Sequence, residues 1–317
     1  MTITAKNYAA QCALSLKRDP CNFDREEVHE YVRLVESAQH FVLPDGGRLF
    51  DDNLKGLKHG AVETTPPRLP YPVTTIEYYQ PLGDPATLPP GLRYCNKRLA
   101  LLVEEQALPA SMRARAQGAG FIVLAFSRFA DNGQWVPALL GAAVNDEIWP
   151  WLTETEDTGS GGTRMRMGVF NYLALPHEYA HVVAKYAARG ESAEKCFTES
   201  AGDSASEIRA ALDFLEAMSC VNVGTAIHQA APSNKVAHAR RRDGKAPIYE
   251  TKMLVVDVRG DEPRAIGAPQ GDRAGVRQHL RRGHIRRLQS GRNIWVNSHV
   301  VGDPSLGRVD KQYRVHA

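Results

Sequence analysis

Val28, Tyr31, Val32 and Val35 recur at three- and four-residue spacing behind Asp24, with Glu27 three residues after it. That pattern predicts an amphipathic helix from Asp24 to about Ala38, opened by a capping box. Ile208, Ala211, Leu212, Leu215 and Met218 repeat the period inside SASEIRAALDFLEAMSC and predict a second helix. A third helix is bounded by Pro176, suited to a first helical position, and Gly190, suited to an end. Between the first helix and these two the pattern changes to short apolar runs separated by turn residues. Strands are expected near Val73–Tyr79 and Arg98–Glu105. GFIVLAFSRF and QWVPALLGAAV flank Ala130-Asp131-Asn132-Gly133 and read as a hairpin.

The remaining segments complete an α+β reading. Residues 153–168 show no apolar period and are expected to form a surface loop. The segment APSNKVAHARRRDGKAP is expected to be a loop before a strand in YETKMLVVDV. HIRRL and NIWVNSHVV predict a hairpin over Gln289-Ser290-Gly291-Arg292. The expected fold is an antiparallel sheet in the N-terminal two-thirds, followed by a helix and a basic β-hairpin unit. Two regions are expected: 1–150, mainly antiparallel β with an N-terminal helix, and 169–317, a helical segment leading into basic strands.

Composition narrows the class. A hydrophobic fraction of 43% and a charged fraction of 24% suit a globular protein with a sizeable core. No apolar run approaches the ~20 residues of a membrane span, and no signal peptide is apparent. Five scattered cysteines without a CxxC pair argue against a cysteine zinc finger and a disulfide scaffold. A cytoplasmic location, with no membrane partner, is the expectation.

Charge changes the picture more. The net charge is +3, but residues 233–317 hold 18 basic and 8 acidic residues, leaving 21 basic and 28 acidic in the rest. A split of +10 against −7 points to a polyanion partner for the C-terminal part, either nucleic acid or an acidic host protein. The candidate contacts are Lys245, His279, Arg281, Arg282, His284, Arg286, Arg287 and Arg292. Arginine pairs bidentately with phosphate and stacks on bases. In an extended 281–287, Arg282, His284 and Arg286 would share one side. If catalysis accompanied binding, His279 and His284 would be its acid and base.

The stretch Phe214–Val223, the stretch Arg240–Val256 and HLRRGHIRRLQSGRNIWVNSHVVG (His279–Gly302) resemble a family of uncharacterised proteins encoded by bacteriophages and prophages. The spacing of His279, Arg281, Arg282, Gly283, His284 and Arg286 before Ile294-Trp295-Val296 carries the likeness. It implies a phage origin, hence the cytoplasm of an infected bacterium, and a helix–strand–hairpin unit. It implies no activity.

One motif lies outside that resemblance. LALPHEYAHVV contains H-E-x-x-H, which on a helix puts His177 and His181 on one face beside Glu178. With TESAGD downstream, the pair resembles the thermolysin-like gluzincins. The resemblance implies His177, His181 and Glu199 as zinc ligands, Glu178 as general base and Asp203 as orienting partner of a ligand histidine. Pro176 directly before the motif departs from that family's pattern and places it on a helix's first turn. Binding without a cofactor is therefore the first expectation, and a zinc-dependent hydrolase the alternative.

Overall fold

The computed structural model describes residues 6–20, 24–49, 68–81, 95–114, 116, 118–144, 155–157, 163–165, 171–174, 176–256, 277–281, 284–288, 290, 292–296, 299–301 and 303–309. The chain divides into two compact units. Unit 1 comprises residues 1–216 and 225–254, and unit 2 comprises 217–224 and 255–317.

Two helices open the chain: α1 (Tyr8–Arg18) and α2 (Arg25–Ser37). The second is the expected one. Asp24 Oδ1 accepts from Glu26 N at 2.8 Å and Glu27 N at 3.3 Å, satisfying two otherwise unpaired helix donors. The first helix was not expected. Its buried stripe is Ala9, Cys12, Ala13 and Leu16, three of them small.

Then come β1 (Gln39–Val42), β2 (Val73–Tyr79), β3 (Cys95–Glu104), the one-turn α3 (Ala110–Arg113), β4 (Phe121–Phe129), β5 (Trp135–Pro137) and β6 (Leu140–Val144). The 130–133 turn joins β4 to β5 as expected, with Gly133 at φ 72°. Beyond them lie β7 (Thr155–Asp157), β8 (Thr163–Met165), β9 (Asn171–Ala174), α4 (Pro176–Ala188), α5 (Ala193–Met218), β10 (Val223–Gln229), α6 (Asn234–Arg242) and β11 (Thr251–Val256). The fold is α+β.

One nine-stranded sheet runs β10-β11-β1-β2-β3-β4-β6-β9, with β5 beside β4. The pairs from β2 to β9 are antiparallel, as the alternation implied. The other end is mixed: β1 lies parallel to both β2 and β11. The sheet thus draws strands from both expected regions.

Helices cover both faces, which explains why β3 and β4 read as continuous apolar runs. On one face α1 and α2 pack on Leu99, Leu101, Val103, Ile122, Leu124 and Phe126. On the other lies α5, with Phe214 4.8 Å from Phe41. Ser204 Oγ of α5 donates to Leu140 O at 2.7 Å, and Glu207 meets Arg98 of β3 at 3.3 Å.

Two segments expected to be loops are regular. Within 153–168, β7 and β8 pair antiparallel. Within 233–245, α6 forms without a buried residue, so no hydrophobic period marked it.

In unit 2, β12 (Arg277–Arg281), β15 (His299–Val301) and β16 (Asp303–Val309) make a three-stranded sheet, and β13 (His284–Arg287) pairs with β14 (Asn293–Val296). The hairpin forms over the expected turn, but its second arm ends at Val296, and His299–Val301 joins the three-stranded sheet instead. Residues 281–287 are not one strand: Arg281 and His284 belong to different sheets. Among the described residues no helix is long and apolar enough to cross a membrane.

Candidate functional site

The basic surface of unit 1 is built on α6. Lys235, His238, Arg241 and Arg242 are exposed on it, and Lys245 is exposed just beyond. Asp243 is the one acidic residue within 234–245. It lies 3.3 Å from Arg242 Nε and 3.5 Å from Lys245 Nζ. Three arginines in the last turn suit the negative end of the helix dipole.

Backbone contacts fix this helix in place. Arg240 Nε donates to Ala246 O at 2.8 Å, closing the turn after α6. Arg18, at the end of α1, donates to Gly244 O. Asn7, at the other end of α1, donates to Pro247 O at 2.8 Å and accepts from Tyr249 N at 3.4 Å. Residues 244–249 therefore run along α1 and carry the chain from α6 into β11.

Of the expected nucleic-acid contacts, Lys245 lies in unit 1 and the rest in unit 2. His279 and Arg281 are on β12, while His284, Arg286 and Arg287 are on β13. Arg282 lies outside the described residues. The register sets His284 opposite Val296, Ile285 opposite Trp295, Arg286 opposite Ile294 and Arg287 opposite Asn293. Arg292, in the turn, is exposed, and its Nε is 3.5 Å from Ser290 Oγ. Arg241 and Arg242 lie in HARRRDGK (His238 to Lys245), the stretch expected to extend the basic surface, whereas Lys235 was not among the expected contacts.

The H-E-x-x-H residues His177, Glu178 and His181 fall at the second, third and sixth positions of α4, on its first turns as Pro176 implied. Glu199 and Asp203 are one turn apart on α5. For these five residues the description is of the backbone. Residues 189–192 join the two helices, with Gly190 at φ 75°. The fold also connects them through the sheet. Ser204, next to Asp203, is bonded to Leu140 of β6, and Leu140 pairs with Ala174 of β9, two residues before α4 begins. Two imidazoles and a carboxylate are a donor set that fits zinc.

Unit 1 also buries polar groups that the sequence did not single out. Glu77 is 1% exposed, and its Oε2 accepts from Tyr8 N at 2.5 Å and Ala9 N at 3.0 Å. It thus caps α1 from the sheet. Burial pushes this carboxyl up, while the amide donors pull it back. Burial and then Glu77 push the Tyr8 phenol up to about 12.

His40 stacks on Tyr249 at 4.4 Å, and its Nδ1 is 2.7 Å from Thr75 Oγ1. Burial pushes its imidazole down to about 4, so it is neutral near pH 7. On the opposite face the fully buried Glu207 holds Arg98, and Arg48 holds Asp213 at 2.9 Å. Burial, with Glu207 nearby, pushes the Tyr78 phenol well above its ordinary value.

Comparison of the chain with protein-family models, curated proteins and solved structures found no match.

Proposed function

We propose that the protein binds nucleic acid through its basic C-terminal third, as a phage-encoded factor. The observation that carries this reading is α6. It is a helix with no buried residue, followed by a turn anchored by backbone contacts, with Lys235 and Arg241 exposed on it and Arg242 and Lys245 exposed around Asp243. Cations held on a fixed helix neutralise phosphates and release counterions, which makes affinity fall steeply with salt. In unit 2, the hairpin β13–β14 carries Arg286 and Arg287.

The test is binding of a fluorescent oligonucleotide across a salt series. Four phosphate contacts give a log–log slope of about −3 to −4. Replacing Lys235, Arg241, Arg242 and Lys245 by Ala should remove most of that slope. A salt-independent affinity, or one unchanged in this variant, rejects the reading. Salt-dependent capture of an acidic protein with no affinity for the oligonucleotide would point instead to the acidic host target.

A second reading is a zinc-dependent hydrolase using His177, His181 and Glu199. What supports it is the link Ser204–Leu140–Ala174, which brings the Asp203 turn of α5 to the strand that leads into α4. Zinc held there supplies Lewis-acid chemistry. Glu178 would take the proton from the attacking water, and Asp203 would fix a ligand histidine. Metal analysis separates the readings: one equivalent of zinc, lost in His177→Ala and His181→Ala, favours the hydrolase. Less than about a tenth of an equivalent, with no gain on reconstitution, rejects it.

A further inference from the structure

Tyr79, Lys97 and Arg128 lie in one row across β2, β3 and β4, each paired with the next, and Trp135 of β5 continues it opposite Arg128. Partners directly opposite in an antiparallel pair have Cβ atoms about 4.5–5.5 Å apart on the same face, and like charges placed so repel. Lys97 faces Arg128 in the same register that pairs Arg98 through Glu104 with Ser127 through Phe121, and a β-bulge between Cys95 and Lys97 ends that register just beyond the pair. Bulges re-aim side chains and cluster beside functional sites.

Neither cation forms an ion pair among the described residues. Of the neighbouring carboxylates, Asp45 pairs with Lys6, Glu77 Oε2 takes the α1 amides, and Asp131 Oδ1 accepts from Asn132 N at 2.8 Å. Both Lys97 and Arg128 are half-buried, so water screens their repulsion only partly. Burial and then Arg128 push the Lys97 ammonium down.

The two side chains are also held in place. The Tyr8 ring lies 5.2 Å from Lys97 Nζ, and Tyr8 itself packs against Trp135 at 5.8 Å. The Arg128 guanidinium rests on the turn after β4, so close that a Cβ on Gly133 would lie 2.7 Å from Nη2.

From this row we infer that Lys97 and Arg128 form a binding site for a phosphate group, walled by Tyr8 and Tyr79. A guanidinium supplies paired donors and an ammonium a point charge, together matching a phosphomonoester dianion. The site uses no residue of α6 and does not depend on nucleic-acid binding there.

Thermal unfolding in inorganic phosphate, against chloride at matched ionic strength, tests it. Phosphate at roughly 100 times Kd should raise Tm by about 5 °C. Lys97→Gln/Arg128→Gln should abolish the rise, and without ligand should be no less stable than the parent, since a repulsive pair is gone. The Lys235/Arg241/Arg242/Lys245 Ala variant should keep the rise in full. A nucleoside 5′-monophosphate used in place of phosphate tells a free-phosphate site from a phosphate-ester site by which raises Tm at lower concentration. A 31P titration of phosphate against the unmodified protein needs no variant. No stabilisation and no 31P change with either compound, or an equal Tm rise in the Gln variant, overturns the inference.

Discussion

Arg98 Nη1 sits 3.3 Å from Glu207 Oε1, joining the middle of the sheet to the long helix α5 through a carboxylate with no solvent exposure. Arg98 also donates to Ser127 Oγ at 2.7 Å and to Cys95 O at 3.1 Å, so its charge is well coordinated. Removing one partner of such a pair strands the other in the interior. Glu207→Ala is expected to cost about 3–5 kcal/mol in urea unfolding. A matched apolar pair, Arg98→Met with Glu207→Leu, should regain most of that loss. A single-variant loss under about 1 kcal/mol would show that the pair is not buried in solution.

Glu77 plays the same part on the other face, with backbone amides in place of a guanidinium. Glu77→Ala leaves Tyr8 N and Ala9 N without their acceptor, at a cost of about 1–3 kcal/mol. Hydrogen exchange at those two amides should accelerate, while exchange in the middle of α2 should not.

His40 makes stability depend on pH. Its folded value of about 4 lies below its ordinary 6.5, so the unfolded chain takes up a proton first as pH falls. The stabilising contribution is whole above about pH 6.5 and declines toward pH 4, by about 3 kcal/mol in all. Urea midpoints measured across that window should fall, and His40→Phe should flatten the decline. An unchanged slope in His40→Phe would assign the acid sensitivity to other groups.

Gly46 and Gly47 give a paired test of packing. Both have positive φ, 85° and 65°. A Cβ on Gly46 meets nothing within 4 Å, whereas one on Gly47 would lie 2.8 Å from the fully buried Tyr78 ring. Gly46→Ala should cost about 1 kcal/mol of backbone strain, and Gly47→Ala distinctly more, about 2–4 kcal/mol. Equal losses would mean that the Tyr78 ring moves aside freely.

The antiparallel strands and α2 were legible because their buried positions are strongly apolar and their turns carry Asp, Asn and Gly. The helix α5 was legible only from Ile208 onward. Among the described residues its earlier buried positions are Cys196, Ser200, Ser204 and Glu207, which leave no hydrophobic period. The helix α6 buries nothing and so has no period at all. The parallel pairing of β1 joins Phe41 to Ile76 and Lys252, partners that local patterning cannot name. Of the candidate sites, the arginine run and the H-E-x-x-H spacing were visible in the chain. The Lys97–Arg128 row was not, because the register between β3 and β4 decides which residues face each other.

The seat of β11 beside β1 has a consequence for synthesis. Phe41 finds its partner Lys252 only after some 211 further residues are made, the difference between the two positions. At about 5–20 residues per second, the ribosome takes roughly 10–40 s to deliver it. Until then β1 presents an open edge and α1 lacks the 244–249 strap, so the nascent chain waits with its first strand exposed to chaperones and to other chains.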